Sequence, residues 1–226
     1  SLQTGTDYVG NAPSLRQKAL YLDWESIDKE HNARLGLLSV DTQNQDIVYQ
    51  RCAAPLPDMV PEIRRIIAER GIGFVVVDSA GSACGGEPEK AEMALGFFNA
   101  FRMLGVTGLI ICHTTKDNNQ NKPFGSAFWW NMGRCIWEVQ KSQETESNIL
   151  TIGLYNRKNN SAKLEKPIGL TISFSPFSIV IERANILDTP ELARNVGLTQ
   201  RIREELKSGA CTVKDLAESL QKPDND

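Results

Sequence analysis

Residues 73–81 read Gly-Phe-Val-Val-Val-Asp-Ser-Ala-Gly, a short apolar run that ends on a carboxylate and then on small residues. Because β-branched and aromatic residues follow one another without polar alternation, the run predicts a strand buried on both faces, as in the middle of a parallel sheet. Asp78 then lies at the carboxyl end of the strand. In open α/β sheets ligands bind at that edge, because the loops leaving the strands form a crevice there.

A carboxylate in this position has two interpretations. It is typical of the Walker B element, whose Asp holds the Mg²⁺ of a bound nucleoside triphosphate. In many α/β proteins an Asp at a strand end instead caps the next helix, and the motif alone does not separate the two.

Two further apolar runs predict buried strands that lead to polar side chains. Residues 18–23 (Lys-Ala-Leu-Tyr-Leu-Asp) are followed at once by Trp24 and Glu25, and residues 108–113 (Gly-Leu-Ile-Ile-Cys-His) end on His113. Helices predicted over 61–70, with a Pro in the first turn, and over 88–104 separate the strands. This alternation with short links predicts right-handed βαβ crossovers and a parallel sheet.

The second half of the chain has a different pattern. Short polar turns separate its strands, which predicts antiparallel hairpins in that half of the sheet. Its predicted strands are 135–139, 149–155, 170–174 and 179–181. A linker is predicted over 186–198, and a partial, winged-helix-like helix-turn-helix over 199–226, where Thr212 and Asp215 form a capping signature.

Composition excludes several classes of protein. The net charge is −3, so no global basic field draws the chain to nucleic acid, and any such contact must come from a local patch. The five cysteines show no C-x-x-C pair or metal spacing, which favours a reduced, cytoplasmic protein. No apolar segment approaches the roughly 20 residues needed to span a bilayer, so we expect a soluble protein without a membrane partner.

The strand ends carry the kinds of group that nucleotide hydrolysis uses. That chemistry needs a carboxylate to orient the attacking water, a second carboxylate for Mg²⁺, a polar group near the γ-phosphate and a cation on the developing charge. Glu25, Asp78 and His113 supply the first three types, and Arg157 and Lys158, on a later predicted hairpin, supply the cation. We expect all of them to lie along one crevice.

Five blocks of the sequence, in this order, resemble the RecA-like ATPases of the hexameric helicase type, and within them the RepA-like and AAA_25-type proteins. The blocks are Ala-Leu-Tyr-Leu-Asp-Trp-Glu (19–25), Val-Val-Val-Asp-Ser-Ala-Gly (75–81), Ile-Ile-Cys-His-Thr-Thr-Lys (110–116), Lys-Pro-Phe-Gly-Ser-Ala-Phe (122–128) and Leu-Tyr-Asn-Arg-Lys-Asn-Asn (154–160). The resemblance implies an α/β, RecA-like P-loop NTPase core over residues 1–185. It also implies a ring homo-oligomer, most simply a hexamer, with ATP and Mg²⁺ at subunit interfaces and single-stranded DNA as partner.

The resemblance also implies roles for individual residues. Glu25 matches the catalytic glutamate, and Asp78 matches the Walker B metal ligand, with Ser79 beside it in the nucleotide site. His113 matches the γ-phosphate sensor. Lys158, or as second choice Arg157, matches the finger that reaches the neighbouring subunit's ATP.

A polar loop over 114–125 lies where the family has a DNA-binding loop, which makes Lys116 and Lys122 candidate phosphate contacts. Each assignment has a structural alternative. In the alternative, Glu25 is an acid favoured by the dipole at a helix N-terminus. His113 is a strand-end histidine whose hydrogen bonds are satisfied within the fold, and the loop is simply solvated. Trp129 and Trp130 are expected in the core rather than as stacking surfaces.

One motif of the family is missing from the sequence. The Walker A loop, G-x-x-x-x-G-K-[ST], should precede the strand of residues 18–23 by one helix, and the 226 residues contain no such motif. We therefore expect a fragment that begins after that loop and does not hydrolyse ATP alone. The loss of the strand leading into the loop is expected to leave a central slot in the sheet beside Asp78.

The leading functional interpretation is an ATP-dependent, DNA-acting motor of the replicative helicase type. The alternative from another class is a non-catalytic nucleotide- or DNA-binding regulator of plasmid or prophage replication. A recombinase-type or circadian-clock relative with protein partners is a third. An intact upstream Walker A loop favours the motor, and a degenerate one the regulator.

Overall fold

In the computed structural model of the protein, the described residues are 15–38, 47–115 and 122–220. The fold is α/β, with two four-stranded sheets. The chain divides into two compact units, the first made of Ser1–Ile136 and Ser175–Ile179 and the second of Trp137–Phe174 and Val180–Asp226. Within the described ranges, no helix is both long and apolar enough to cross a bilayer.

The first unit alternates strands and helices. In chain order they are β1 (Lys18–Asp23), α1 (Asp28–Leu37), β2 (Ile47–Arg51), α2 (Leu56–Arg70), β3 (Ile72–Asp78), α3 (Ala80–Ala83), α4 (Ala91–Met103), β4 (Thr107–Ile110) and α5 (Ala127–Met132). The strand order is β2-β1-β3-β4, and every pair is parallel, so the predicted parallel sheet is confirmed. Asp23 lies opposite Asp78 in the register, so the carboxyl ends of β1 and β3 meet at one edge.

The apolar runs that predict the central strands also bury them. Leu20 and Leu22 of β1, and Val75 and Val77 of β3, are completely buried. They share one core with α2 and with α4, whose three- and four-residue spacing buries Phe97. The loops that leave β1 and β3 therefore start from a packed base.

Helix α2 starts earlier than the sequence predicts. It was expected over 61–70 with Pro61 in its first turn, but it begins at Leu56, where Pro57 is the first-turn proline, and Pro61 lies inside the helix. Pro61 lacks the N–H of an interior helical bond. The extra turn persists because it buries Leu56 and Met59 in the core.

The open edge of the parallel sheet is not where the sequence predicts it. The expected slot beside Asp78 is wrong, because β3 pairs with β1 on one side and with β4 on the other. Gly108 permits the second pairing, since a Cβ there would meet the carbonyl oxygen of Val75 at 2.5 Å. Among the described residues β4 pairs with β3 alone, and its Leu109 is 54% exposed.

The later elements form a second sheet. They are β5 (Cys135–Ser142), β6 (Ile149–Asn159), β7 (Ile168–Phe174), β8 (Ile179–Ala184), a 3-10 helix (Ile186–Asp188), α6 (Pro190–Ala193), α7 (Leu198–Glu205), a 3-10 helix (Leu206–Ser208) and α8 (Val213–Leu220). The strand order is β5-β6-β7-β8, and β6 and β7 are antiparallel. The predicted antiparallel pairing is confirmed. These strands were expected to form one half of a single sheet, but they form a sheet of their own, because within the described part of the chain none of them pairs with β1 to β4.

The residues expected to form a linker, 186–198, take part in packing. Ile186, Leu192 and Val196 form a small core with Tyr155 of β6, and the Tyr155 hydroxyl donates to the Leu192 carbonyl oxygen at 2.6 Å. Two helices, α7 and α8, follow this segment. The predicted cap of α8 forms, since the amide of Asp215 donates to Thr212 Oγ1 at 3.2 Å and the amide of Thr212 to Asp215 Oδ2 at 3.0 Å.

Candidate functional site

Three strand ends of the first unit bring together side chains that are far apart in sequence. Glu25 lies in the loop after β1, Asp78 ends β3, and His113 follows β4. Glu25 Oε1 lies 3.2 Å from His113 Nε2, accepts a hydrogen bond from Ser79 Oγ and lies 3.4 Å from Ser82 Oγ. The structure therefore places the predicted Glu25, Ser79 and His113 in contact, and Asp78 next to Ser79.

Backbone hydrogen bonds fix this arrangement. The Ile111 amide donates to the Val77 carbonyl oxygen at 3.0 Å, and the Ile111 carbonyl oxygen accepts from the Ala80 amide at 2.9 Å. The Trp24 amide donates to the Asp78 carbonyl oxygen at 2.8 Å. Each loop that carries a site residue is thus bonded to β3 or to the turn after it.

The environment of Glu25 keeps its carboxylate charged. The hydrogen bond from Ser79 lowers the pKa of Glu25; partial burial opposes this, and the contact with His113 adds to it. The side chain is 36% exposed, so water can reach it. An ionised carboxylate open to water is able to orient a water molecule and accept its proton.

Asp78 has the properties of a magnesium ligand. It is half-buried at the strand end, and its Oδ2 accepts a hydrogen bond from the Tyr21 hydroxyl at 2.5 Å. Burial, then the bond to Asp78, raises the pKa of Tyr21, so the tyrosine stays a donor. The peptide bond between Asp78 and Ser79 is cis.

The donor set fits Mg²⁺ better than a metal held by protein alone. In the described part of the chain, no group of three or more His, Cys, Asp or Glu side chains is arranged to hold a metal. Mg²⁺ usually binds through one or two carboxylates together with water and substrate phosphates. Asp78 is able to supply such a carboxylate.

Asp23 is the site residue that sequence reasoning missed. It is completely buried, and its Oδ1 accepts from the amides of Glu25 and Ser26 at 2.8 and 2.9 Å. Its Oδ2 accepts from His31 Nε2 at 2.8 Å and from the Tyr49 hydroxyl at 2.9 Å. Burial alone would raise the pKa of Asp23, but these hydrogen bonds together lower it. The sequence did contain a signal for this contact. Asp side chains often accept a hydrogen bond from the backbone amide two residues further along the chain, and the candidate catalytic acid Glu25 stands two residues after Asp23.

The two candidate cations lie on β6 and have different environments. Arg157 Nε donates to Glu138 Oε2 at 2.7 Å, Nη1 to the Asn195 carbonyl oxygen at 3.4 Å, and the guanidinium lies 4.7 Å from the centroid of the Tyr155 ring. Arg157 is thus engaged inside the second unit. Lys158, the first choice for the finger, is half-buried, and that role stays a prediction.

The loop that carries the DNA-contact candidates is closed at its base beside His113. The Phe124 amide donates to the His113 carbonyl oxygen at 2.7 Å, and Thr114 and Pro123 form an isolated antiparallel bridge. Lys122 is exposed, whereas Lys116 lies outside the described residues. Trp129 is buried against Phe97 and Phe98, as predicted for a core residue.

Comparisons with known proteins agree with this geometry. Residues 10–119 match the model of a family described as AAA domain, a span that contains all three strand ends. A KaiC-like protein of the archaeon Pyrococcus horikoshii OT3 has a similar structure, with a TM-score of 0.57 over 80% of this chain and 79% of that one. The identity is 14%, so this likeness shows the fold. A comparison with curated proteins found no significant match in sequence. The family match and the structural likeness agree with the predicted RecA-like fold.

Proposed function

We propose that this chain is the ATPase core of a ring-forming motor of the RepA-like, replicative helicase type. In this proposal a hexamer couples ATP hydrolysis at subunit interfaces to binding of, or movement along, single-stranded DNA. The observation that carries it is the meeting of Glu25, Asp78 and His113 at the carboxyl edge of the parallel sheet, where Glu25 Oε1 lies 3.2 Å from His113 Nε2.

Each residue has a role that its environment supports. Glu25, ionised and open to water, orients the attacking water and accepts its proton. Asp78 holds the metal, and His113 contacts Glu25 and reports the state of the phosphate end of the site. When bound, Mg·ATP supplies the γ-phosphoryl group and the metal charge. The loop that cradles its phosphates is not among the 226 residues, so the assays below use the full-length protein.

The cation on the developing charge is assigned to Lys158. Arg157 forms an ion pair with Glu138, whose side chain is only 8% exposed. If Arg157 turned away to contact the ATP of a neighbouring subunit, this buried carboxylate would lose its counter-charge. Lys158, the next residue on β6, points to the opposite face of the strand because side chains alternate.

DNA contact is assigned to the loop after His113, through Lys122 and Lys116. The bond between the Phe124 amide and the His113 carbonyl oxygen supports coupling, because it connects the base of this loop directly to the backbone of His113. A basic loop suits phosphate contact in a protein whose net charge is −3.

The test is Glu25→Gln in the full-length protein. We expect nucleotide binding to persist and phosphate release to fall by about 10²-fold or more, because the variant removes a general base. Glu69→Gln, an exposed acid of α2 that pairs with Arg65, is the matched control and should leave turnover unchanged. Unchanged turnover in Glu25→Gln would show that Glu25 is not the general base, whereas a parent protein that binds nucleotide without turnover would favour a non-catalytic nucleotide-binding regulator.

A further inference from the structure

We infer that Asp23 is a positioning residue, which fixes the backbone that carries Glu25 and thereby aims its carboxylate. The inference rests on the proposed role of Glu25 and goes beyond it by naming the group that holds it in place. Asp23 is completely buried at the end of β1, opposite Asp78 in the register. Every described hydrogen-bond contact of its carboxylate serves the loop or the cluster defined below.

One oxygen of Asp23 holds the loop. Oδ1 accepts from the amide of Glu25 at 2.8 Å and from that of Ser26 at 2.9 Å. These amides lie before the first helical residue of α1, Asp28, so Asp23 is not a helix cap. Both bonds act on the peptide units on either side of the Glu25 α-carbon, and they fix the direction in which its side chain leaves the backbone.

The other oxygen, Oδ2, accepts from two members of an aromatic cluster. We call Tyr21 of β1, His31 of α1 and Tyr49 of β2 the ring cluster, since their ring centroids lie 5.0 to 6.3 Å apart. His31 Nε2 and the Tyr49 hydroxyl donate to Asp23 Oδ2. Tyr21 donates to Asp78 Oδ2. The ring cluster therefore holds both the carboxylate that sets Glu25 and the candidate metal ligand.

A purely structural role does not explain an acid at this position. The other completely buried residues of β1, Leu20 and Leu22, are apolar, and a buried carboxylate is tolerated only where hydrogen bonds offset its desolvation. At Asp23 two of the four bonds go to amides of the loop after the strand. An apolar residue here would leave all four donors without their acceptor and the Glu25 loop unattached.

Three variants of the full-length protein test the inference. Asp23→Ala removes the acceptor, Asp23→Asn keeps an oxygen for the two amides, and Tyr49→Phe removes one donor while leaving the loop bonds intact. We expect kcat for ATP hydrolysis to fall about 10- to 100-fold in Asp23→Ala, because a misplacement of about 1 Å costs up to that much, with the ATP dissociation constant within about twofold. Asp23→Asn should restore most of kcat, and Tyr49→Phe should lower the melting temperature but lower kcat much less than Asp23→Ala does, because the two loop bonds to Oδ1 remain.

A double-variant cycle separates positioning from stability. If Asp23 acts through Glu25, adding Asp23→Ala to Glu25→Gln causes little further loss of kcat, whereas independent effects multiply. Should Asp23→Ala not fold, the double variant Asp23→Ala/Tyr49→Phe replaces it against a Tyr49→Phe background, because it leaves one orphaned hydroxyl fewer.

The outcomes distinguish this inference from the proposed function. If Glu25→Gln lowers turnover but kcat simply follows stability across the Asp23 and Tyr49 variants, the positioning role is overturned and the function stands. If Glu25→Gln leaves turnover unchanged, the proposed catalytic role of Glu25 is overturned. Amide hydrogen exchange then still decides the loop contact: Glu25 and Ser26 should exchange slowly in the parent and in Asp23→Asn and fast in Asp23→Ala, and equal rates in all three overturn it.

Discussion

Arg157→Ala should destabilise the second unit without abolishing ATP hydrolysis. The guanidinium donates to Glu138 Oε2 at 2.7 Å and to the carbonyl oxygen of Asn195, and it lies over the ring of Tyr155. The variant removes all three contacts and leaves the Glu138 carboxylate, 8% exposed, without a counter-charge.

The expected cost follows from the burial of the pair. A hydrogen bond to a charged group contributes about 1.5–3 kcal/mol, and removing one partner of a fully buried ion pair costs about 3–5 kcal/mol. Because the Arg157 side chain is 23% exposed, water reaches part of the site, and we expect about 2–3 kcal/mol. With a urea m-value of about 1–3 kcal/mol/M, the unfolding midpoint should fall by about 0.7–3 M.

Urea unfolding of the full-length protein, followed by far-ultraviolet circular dichroism, measures this shift. The matched control is Lys158→Ala, the next residue on β6, which should move the midpoint less but remove turnover. Without urea, where both variants are expected to be folded, Arg157→Ala should keep most of the parental rate of ATP hydrolysis. An Arg157→Ala protein with a parental midpoint and no turnover would refute the reasoning and make Arg157 the finger.

Three other experiments test the proposed site. Asp78→Asn should weaken Mg²⁺-dependent ATP binding in calorimetry, because it removes an anionic ligand, while Asp58→Asn, an exposed acid of α2, should not; equal affinities would leave Asp78 a structural cap. Ser79→Ala removes the largest cause of the lowered pKa of Glu25, so that pKa should rise and the acid limb of the kcat/KM profile should move to higher pH; an unmoved limb contradicts the assignment. Lys158→Ala subunits mixed with Glu25→Gln subunits should recover hydrolysis at interfaces that pair an intact site with an intact finger, and no recovery at any ratio argues against action between subunits.

The parallel sheet and the meeting of its strand ends were predictable because the signals are local. The apolar run of β3 marks a buried strand, and the helices on either side of it impose parallel pairing with β1 and β4. Glu25 and His113 then follow from position alone, since each comes shortly after a strand of the same sheet. These predictions needed no knowledge of side-chain contacts.

What could not be predicted depends on which elements pair or pack at a distance. The start of α2 was misplaced because Pro61 and Pro57 both resemble first-turn prolines, and only the burial of Leu56 decides between them. The second sheet was merged with the first because strand sequences do not show which strand they pair with. Arg157 was kept as the second candidate for the finger because the sequence does not reveal its ion pair. The partner, Glu138, lies on β5, 19 residues away.

Asp23 and Asp78 show most directly what the sequence does not predict. Both residues end an apolar run, and they lie opposite each other in the register of the sheet. Their positions in the sequence are alike, yet one side chain is completely buried and the other half-buried. The difference comes from the donors that reach each carboxylate. His31 and Tyr49, 8 and 26 residues further along the chain, and two loop amides surround Asp23, whereas Tyr21 alone donates to Asp78 among the described side chains. The acid with more donors is the one we infer to position the loop, and the acid with fewer donors is the one we propose as the metal ligand, so the number of donors at each strand end distinguishes the two proposed roles.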